Sequence, residues 1–148
     1  MTYELVKVKT ESDWRDYHSL RRRVLWQDRG RRDYDDTRPD EHLPANHALL
    51  LKLNGQPIGT TRLDNLGGRR GVVRLVAIAS NVQRQGHGRT LSGLVEEYAR
   101  RLGLTTLLVN AAPDAVGFYE NIGWQPCLWD ETELTGITAD CKQMSKPL

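Results

Sequence analysis

The first 25 residues predict a strand followed by a helix, because polarity alternates at first and apolar residues then recur at helical spacing. Residues 3–9 (YELVKVK) alternate in polarity, which is typical of a half-buried β-strand. Thr10 and Asp13 have the spacing of a capping box at a helix N-terminus. The apolar residues of this helix lie roughly on one face: Trp14, Tyr17, Leu20, Val24 and Leu25.

Two apolar runs in the middle of the chain flank a segment with helical periodicity. Residues 72–79 (VVRLVAIA) are nearly continuous in apolar character, as expected of a buried central strand, and residues 105–111 (TTLLVNA) form a second such run. Between them, apolar residues recur at helical spacing from Leu91 to Leu102, and Gly103 is a natural C-cap. Strand, helix and strand in this order form a βαβ crossover, so the two strands should be parallel.

The remaining predicted strands are joined by tight turns. Residues 47–53 and 57–63 form a hairpin around an Asn-Gly turn, 114–121 form a short helix, and 124–129 and 137–145 are the final strands. The fold class is therefore α/β, with a mixed, mostly antiparallel sheet in a single domain that covers the whole chain.

One long polar segment interrupts this succession. Residues 27–46 contain six acidic residues, four arginines and two prolines. A loop of this length inside a compact domain is often functional, and disorder is the alternative interpretation.

Composition narrows the function classes. The chain has 148 residues, 39% of them hydrophobic, and a formal net charge of only +2. We expect no nucleic-acid partner, because such proteins usually carry a clustered basic face, and residues 21–23 (RRR) are better explained as a solvated helix face. No apolar run is long enough for a membrane span and the N-terminus lacks a signal-peptide pattern, so a cytoplasmic protein with no membrane partner is expected. The two cysteines and four histidines lack metal-ligand spacing, so no metal site is predicted.

The stretch QRQGHGRTL, residues 83–91, is the strongest candidate for ligand binding. It follows the buried strand 72–79 and opens the next helix. It is neither a Walker A loop nor a complete dinucleotide fingerprint. Backbone N–H groups at a helix N-terminus favour anions, and Arg84 and Arg89 add positive charge. The stretch therefore indicates a phosphate or pyrophosphate site, and a glycine-rich turn without a ligand is the alternative.

Two motifs together resemble a known family. QRQGHG, residues 83–88, resembles the [QR]-x-x-G-x-[GA] signature of the GCN5-related N-acetyltransferases, and LLVNAAPDAVGFYENIGW, residues 107–124, resembles their second signature. The resemblance covers about residues 72–126. It implies a sheet splayed at the central parallel strand pair and flanked by helices, with acetyl-CoA, or another acyl-CoA, as the donor.

The same resemblance assigns donor-binding residues. The pyrophosphate would lie on backbone N–H groups of 84–89, the pantetheine arm would pair with the strand at Val76 and Ile78, and Asn110 would hydrogen-bond the pantetheine. Asn110 could instead cap the turn that follows it. The complete donor-binding set comprises Val76, Ile78, Gln83, Arg84, Gln85, Gly86, His87, Gly88, Arg89, Thr90, Asn110 and Tyr119.

Tyr119 is the predicted general acid, because the resemblance places this phenol near the CoA sulfur, where it could protonate the departing thiolate. A packing role is the alternative. The general base stays unassigned, since Val72 stands where some relatives carry a glutamate. Candidates are Glu41, His42 and His47, with Asp64 beside them, and each of these residues could equally be structural.

We therefore expect an N-acetyltransferase that moves an acetyl group from acetyl-CoA to a primary amine, preferably of a small molecule, by direct attack through a tetrahedral intermediate. The alternatives are a peptide or protein amine as acceptor, or a non-catalytic acyl-CoA-binding regulatory module. Trp26, Tyr34 and Trp129 are candidates for the lining of the acceptor pocket, and ordinary core or edge packing is the alternative for these three residues. Homodimers are common in the family, although no segment of this sequence defines an interface.

Overall fold

The computed structural model describes residues 2–148 and contains one seven-stranded sheet. The elements in chain order are β1 (Tyr3–Lys7), α1 (Glu11–Arg21), β2 (Asn46–Leu53), β3 (Gln56–Gly67), β4 (Arg70–Ile78), α2 (His87–Arg101), β5 (Thr106–Ala111), α3 (Val116–Asn121), β6 (Gln125–Pro126) and β7 (Lys142–Pro147). The strand order in the sheet is β1-β2-β3-β4-β5-β7-β6. Within residues 2–148, every helix is too short or too polar to span a bilayer.

The sheet is antiparallel except at its centre. Strands β4 and β5 run parallel, with Arg70 opposite Thr106 and Val73 opposite Val109. The predicted mixed sheet with one central parallel pair is confirmed. The α2 crossover between these strands positions the glycine-rich stretch at the end of β4.

Helices cover both faces of the sheet. The side chains of β2 alternate between the two faces, so β2 contributes to the core on each side. Ala48 and Leu50 pack with Tyr17 of α1. Leu49 and Leu51 belong to the other core cluster, which includes Leu91, Val95 and Ala99 of α2. We refer to these as the α1 face and the α2 face.

The start of α1 follows the predicted capping pattern, since the Thr10 side chain accepts a hydrogen bond from the Asp13 N–H at 3.0 Å. After α1 the backbone passes into a π-helical turn, Arg22–Trp26, and a 3₁₀ turn that ends at Gly30 with φ +72°. The long polar segment is thus partly helical where it leaves α1. π-helical turns are frequent at functional sites, and this turn presents Trp26 to the cleft described below.

The C-terminal strands are shorter than predicted. In place of strands over 124–129 and 137–145, β6 and β7 are separated by residues 127–141, which form two 3₁₀ turns and connecting loops. Side chain–backbone bonds compete with strand pairing here: Asp130 accepts from the Thr132 N–H at 3.1 Å, and Gly136 adopts φ +58°. β7 lies between β5 and β6, so residues 127–141 connect the neighbouring antiparallel strands β6 and β7. They lie at the end of the sheet where β5 ends, since Lys142 is opposite Ala111.

Candidate functional site

The sheet opens at a bulge in β4. Leu75 has φ +54°, an unusual conformation for a branched side chain, and the register of β3 and β4 shifts at this point. Pairing of β4 with β5 ends at Val73. The rest of β4, which includes Val76 and Ile78, therefore presents an edge towards β5 that β5 does not occupy.

The glycine-rich loop follows that open edge. Arg84 and Gly86 both have positive φ, +64° and +84°, and α2 begins at His87. The first N–H groups of a helix have no intrahelical acceptor, so the turn at 87–89 offers donors to an anion. The helix bond from the Thr90 N–H to the Gly86 carbonyl, 3.2 Å, marks the end of this group of donors.

Side chains of the loop serve the protein itself. The His87 ring is buried, with Nδ1 2.8 Å from the Tyr3 hydroxyl, so only the backbone of His87 is available to a ligand. Gln83 donates from Nε2 to the Ile78 carbonyl at 2.9 Å, and the Thr90 hydroxyl bonds the Gly86 carbonyl. Arg84, Gln85 and Arg89 are exposed beside the turn.

A cleft of about 1290 Å³ adjoins the opening in the sheet. One wall comes from the segment that follows α1, the other from residues 133–141, and β3 and β4 form its floor. The structure brings seven of the predicted residues together in this cleft: Trp26, Tyr34, Glu41, Asp64, Val76, Asn110 and Tyr119. Trp129, the third aromatic candidate for the acceptor pocket, does not line the cleft, and its Nε1 donates to the Val109 carbonyl at 3.2 Å.

The predicted histidine candidates lie elsewhere. His42 is exposed and packs on Trp14, with ring centroids 4.7 Å apart. His47 pairs with Leu63, which belongs to the core cluster of the α2 face, and its Nδ1 is 2.8 Å from the Tyr98 hydroxyl. Neither ring is part of the cleft wall.

Alternating arginines and carboxylates line the floor of the cleft. We call this set the ion-pair chain, and it runs in the order Arg21, Glu41, Arg62, Asp64, Arg74 and Glu133. Arg62 reaches Glu41 at 3.1 Å and Asp64 at 2.7 Å. Arg74 reaches Asp64 and Glu133, each at 2.7 Å. The ion-pair chain links the two walls of the cleft across the sheet. Because positive and negative side chains alternate in it, each compensates a charge that would be costly if it were buried alone.

These contacts keep Glu41 and Glu133 ionised. Burial by itself would raise the pKa of Glu41, but the charges and hydrogen bonds of Arg21 and Arg62 outweigh it and hold the pKa below its usual value. Hydrogen bonds from Arg74 likewise lower the pKa of Glu133. A carboxylate with a lowered pKa is a weak base, so Glu41 and Glu133 are better suited to binding than to proton abstraction.

Asn110 is oriented by two neighbours. Its Nδ2 donates to Glu133 at 3.1 Å, and its Oδ1 accepts from Gln143 Nε2 at 2.9 Å. Gln143 is itself fixed, because its Oε1 accepts from the backbone N–H groups of Trp129 and Asp130, both at 2.9 Å. The turn after β5, Pro113–Ala115, has no side-chain cap, so Asn110 does not cap it. One N–H and one lone pair of the Asn110 amide remain for a ligand.

Tyr119 packs between aromatic neighbours and reaches the cleft. Its ring centroid lies 5.3 Å from those of Phe118 and Trp124, and the residue is 6% exposed. Burial, assisted by the nearby Cys141, raises the pKa of Tyr119 to about 12. The phenol therefore keeps its proton throughout the neutral pH range.

Arg62, Arg74 and Glu133 are not among the site residues predicted from the sequence, and neither is the contact between Asn110 and Gln143. One signal was available: Arg62 lies on the predicted strand 57–63 and Asp64 directly follows it, so the two charged residues share one face of an extended segment. Glu133 gave no such signal, because its place in the site depends on the path of residues 127–141.

Comparisons with known proteins agree with this geometry. The Acetyltransferase (GNAT) family model matches residues 10–124. The uncharacterized protein YyaT of Bacillus subtilis is 26% identical over 121 residues, 80% of each chain. An acetyltransferase of the GNAT family from Staphylococcus aureus has the same fold, with a TM-score of 0.79, 13% identity and 99% of both chains covered. N-acetylglutamate synthase from Neisseria gonorrhoeae, solved with coenzyme A and N-acetyl-glutamate, matches with a TM-score of 0.74 and 16% identity over 100% of this chain and 35% of that longer one.

Because the family match covers most of the chain, including both motifs and the splayed strand pair, the chain belongs to the GNAT family of acetyltransferases and is an acyl-CoA-dependent N-acetyltransferase.

Proposed function

We propose that the protein transfers the acetyl group of acetyl-CoA to a primary amine of a small molecule, within the cleft between β4 and β5. The observation that carries the proposal is the open edge of β4. Pairing with β5 stops at Val73, and the free edge leads directly into the turn of N–H donors at 87–89. An extended arm ending in a pyrophosphate matches that sequence of features.

The donor supplies an activated acetyl thioester. Val76 and Ile78 would hold the pantetheine arm through their backbone, as an additional strand would. Asn110 would offer its remaining N–H and lone pair to the same arm. The backbone of 84–89 would hold the pyrophosphate, with Arg84 and Arg89 beside it. A ligand bound in this way depends little on loop side chains, since His87, Gln83 and Thr90 already have partners.

Tyr119 would assist departure of the CoA sulfur. A phenol with a pKa of about 12 is protonated at neutral pH and can donate a hydrogen bond as negative charge grows on the sulfur. Complete transfer of its proton to a thiolate of ordinary pKa, about 8.5, is uphill, but the burial that raises the pKa of Tyr119 would also raise that of a sulfur bound beside it. Tyr119 therefore acts as the acid through its position next to the leaving group.

The cleft favours a polar acceptor of limited size. Its lining contains seven arginines and seven acidic residues, and several of them pair with one another. Walls stand on two sides, formed by the segment after α1 and by residues 133–141. Both features suit a small molecule that carries an amine better than a long peptide, which would need a groove open at both ends.

A panel of primary amines tests the proposal through free CoA released from acetyl-CoA, detected as thiol. We expect at least one small amine to give saturable turnover. Turnover only with peptide amines would show that the acceptor is a peptide and not a small molecule. Binding of acetyl-CoA without turnover on any amine would support the non-catalytic acyl-CoA-binding module.

Tyr119→Phe tests the acid. We expect kcat to fall by about 10²-fold with little change in the Kd for acetyl-CoA, because general acid catalysis contributes on this scale. Tyr98→Phe is the matched control, since that hydroxyl bonds His47 away from the cleft. Equal turnover in Tyr119→Phe and the wild type would remove Tyr119 from the chemistry.

A further inference from the structure

Three tyrosine–histidine pairs joined by a hydrogen bond occur among residues 2–148, and one of them reaches the cleft. Tyr98 pairs with His47 and Tyr3 with His87, each at 2.8 Å, and these four residues lie outside the cleft wall. The third pair joins the Tyr34 hydroxyl to Nδ1 of His18 at 2.6 Å. Tyr34 lines the cleft, whereas His18 lies behind it on α1.

The acceptor amine must lose a proton to attack, and the cleft carboxylates are poorly placed to take it. Glu41, Asp64 and Glu133 each accept hydrogen bonds from one or two arginines. A proton on any of them would break an ion pair in the floor of the cleft, at the cost of a guanidinium left without its counter-charge. A neutral imidazole reached through a hydroxyl can take up the proton without breaking an ion pair.

We propose that Tyr34 and His18 form a proton relay that removes the proton from the acceptor ammonium. This proposal rests on the proposed function of the cleft. The N–H bond of the ammonium breaks as an O–H bond forms at Tyr34 Oη, and the original Tyr34 proton moves to Nδ1 of His18. The products are a neutral amine, a neutral phenol and an imidazolium. His18 is half-buried, so the imidazolium can then release a proton to water.

The surroundings of the relay fit these roles. Tyr34 is held in place by Trp26, whose ring centroid is 4.7 Å away, and by the guanidinium of Arg22 over its ring at 5.2 Å. Burial raises the pKa of Tyr34, so the phenol is protonated and can donate to His18. Burial, with help from the positive charge of Arg21, lowers the pKa of His18, so its ring is neutral at pH 7. The groups that face His18 are Tyr34 and Asp36 from the polar segment, Arg21 and Arg22 at the end of α1, Glu41, and Trp14 and Tyr17 from α1 itself.

Steady-state kinetics over pH test the relay with the best amine from the panel. We expect Tyr34→Phe and His18→Gln each to lower kcat/KM at pH 7 by about 10²-fold, the scale of general base catalysis. The loss should shrink as the pH approaches the pKa of the free amine, because the neutral amine then needs no base. The double variant should be no worse than either single variant, since both act in one proton path. Tyr98→Phe, which breaks an equivalent pair outside the cleft, should match the wild type.

Nitrogen-15 NMR of the histidine rings in the complete protein supplies a second test that needs no acceptor. The relay requires Nδ1 of His18 to be unprotonated and the proton to lie on Nε2 at pH 7. A proton on Nδ1, a loss of activity that is equal at every pH, or additive losses in the double variant would each overturn the relay. Wild-type turnover that survives in Tyr34→Phe would reject the relay alone, whereas a wild type that turns over no amine would reject the proposed function.

Discussion

Replacement of Glu41 by glutamine should destabilise the protein more than any change to a surface ion pair. Glu41 is 5% exposed, and its carboxylate accepts hydrogen bonds from Tyr17 Oη at 3.0 Å, from Arg62 Nη1 at 3.1 Å and from Arg21 Nη1. Glutamine keeps the shape but removes the charge, which leaves two buried guanidinium groups without this counter-charge. Breaking a buried pair in this way costs about 3–5 kcal/mol of unfolding free energy.

Urea denaturation followed by tryptophan fluorescence measures this loss. With an m-value of roughly 2 kcal/mol/M, the midpoint should fall by about 1.5–2.5 M. The matched control is Asp36→Asn, which breaks a pair with Arg22 at 3.1 Å whose side chains are 42% and 49% exposed. That pair should contribute no more than about 1 kcal/mol. Equal shifts of the urea midpoint in the two variants would refute the reasoning that a buried ion pair contributes more to the free energy of unfolding than an exposed one.

The pH dependence of the same variant gives an independent check. Because the folded state lowers the pKa of Glu41 below its ordinary value of 4.5, the unfolded state binds more protons in the acid range. The stability that Glu41 contributes is therefore fully present above about pH 4.5 and is lost as the pH falls through the lower, folded-state pKa. The difference in stability between wild type and Glu41→Gln should shrink on acidification, and a difference that grew would contradict the assignment.

Two glycine substitutions test the donor site and the core. Gly86→Ala should raise the Kd for acetyl-CoA, measured by calorimetry, by up to about tenfold, because a φ of +84° costs a residue with a Cβ about 1–2 kcal/mol. Gly93→Ala is the control: this residue lies in α2 with open space around it, so the substitution should leave the Kd unchanged. Gly71→Ala would place a Cβ 2.7 Å from Leu104 Cδ1, so the free energy of unfolding should fall by about 1–3 kcal/mol; an unchanged urea midpoint would show that the core relaxes around it.

The sequence predicts those parts of the fold that are determined by residues close together in the chain. The βαβ crossover from β4 to β5 follows from two apolar runs and one helical period, and the loop at 83–90 follows from its place between them. Tyr119 is part of a motif whose spacing is fixed by α3. For these elements the neighbours in sequence are also the neighbours in space.

The floor and the walls of the cleft depend on distant contacts and could not be predicted in the same way. The ion-pair chain joins Arg21, Glu41, Arg74 and Glu133, which belong to four separate segments of the chain. The C-terminal strands were predicted too long because apolar residues in 124–129 suggested pairing, whereas Gln143 instead holds the backbone of that region with its side-chain amide. Neither the ion-pair chain nor the early end of β6 is indicated by a periodic pattern in the sequence.

Calorimetric titration of the protein with acetyl-CoA, compared with acetyl-pantetheine that lacks the pyrophosphate, tests the central claim most directly. The open edge of β4 and the turn at 87–89 together predict saturable 1:1 binding of acetyl-CoA and at least tenfold weaker binding of the truncated thioester. Each charge-assisted hydrogen bond to the N–H groups of that turn that is lost with the pyrophosphate is worth about 1.5–3 kcal/mol. Equal affinities for the two ligands, or no binding of acetyl-CoA at all, would contradict the account.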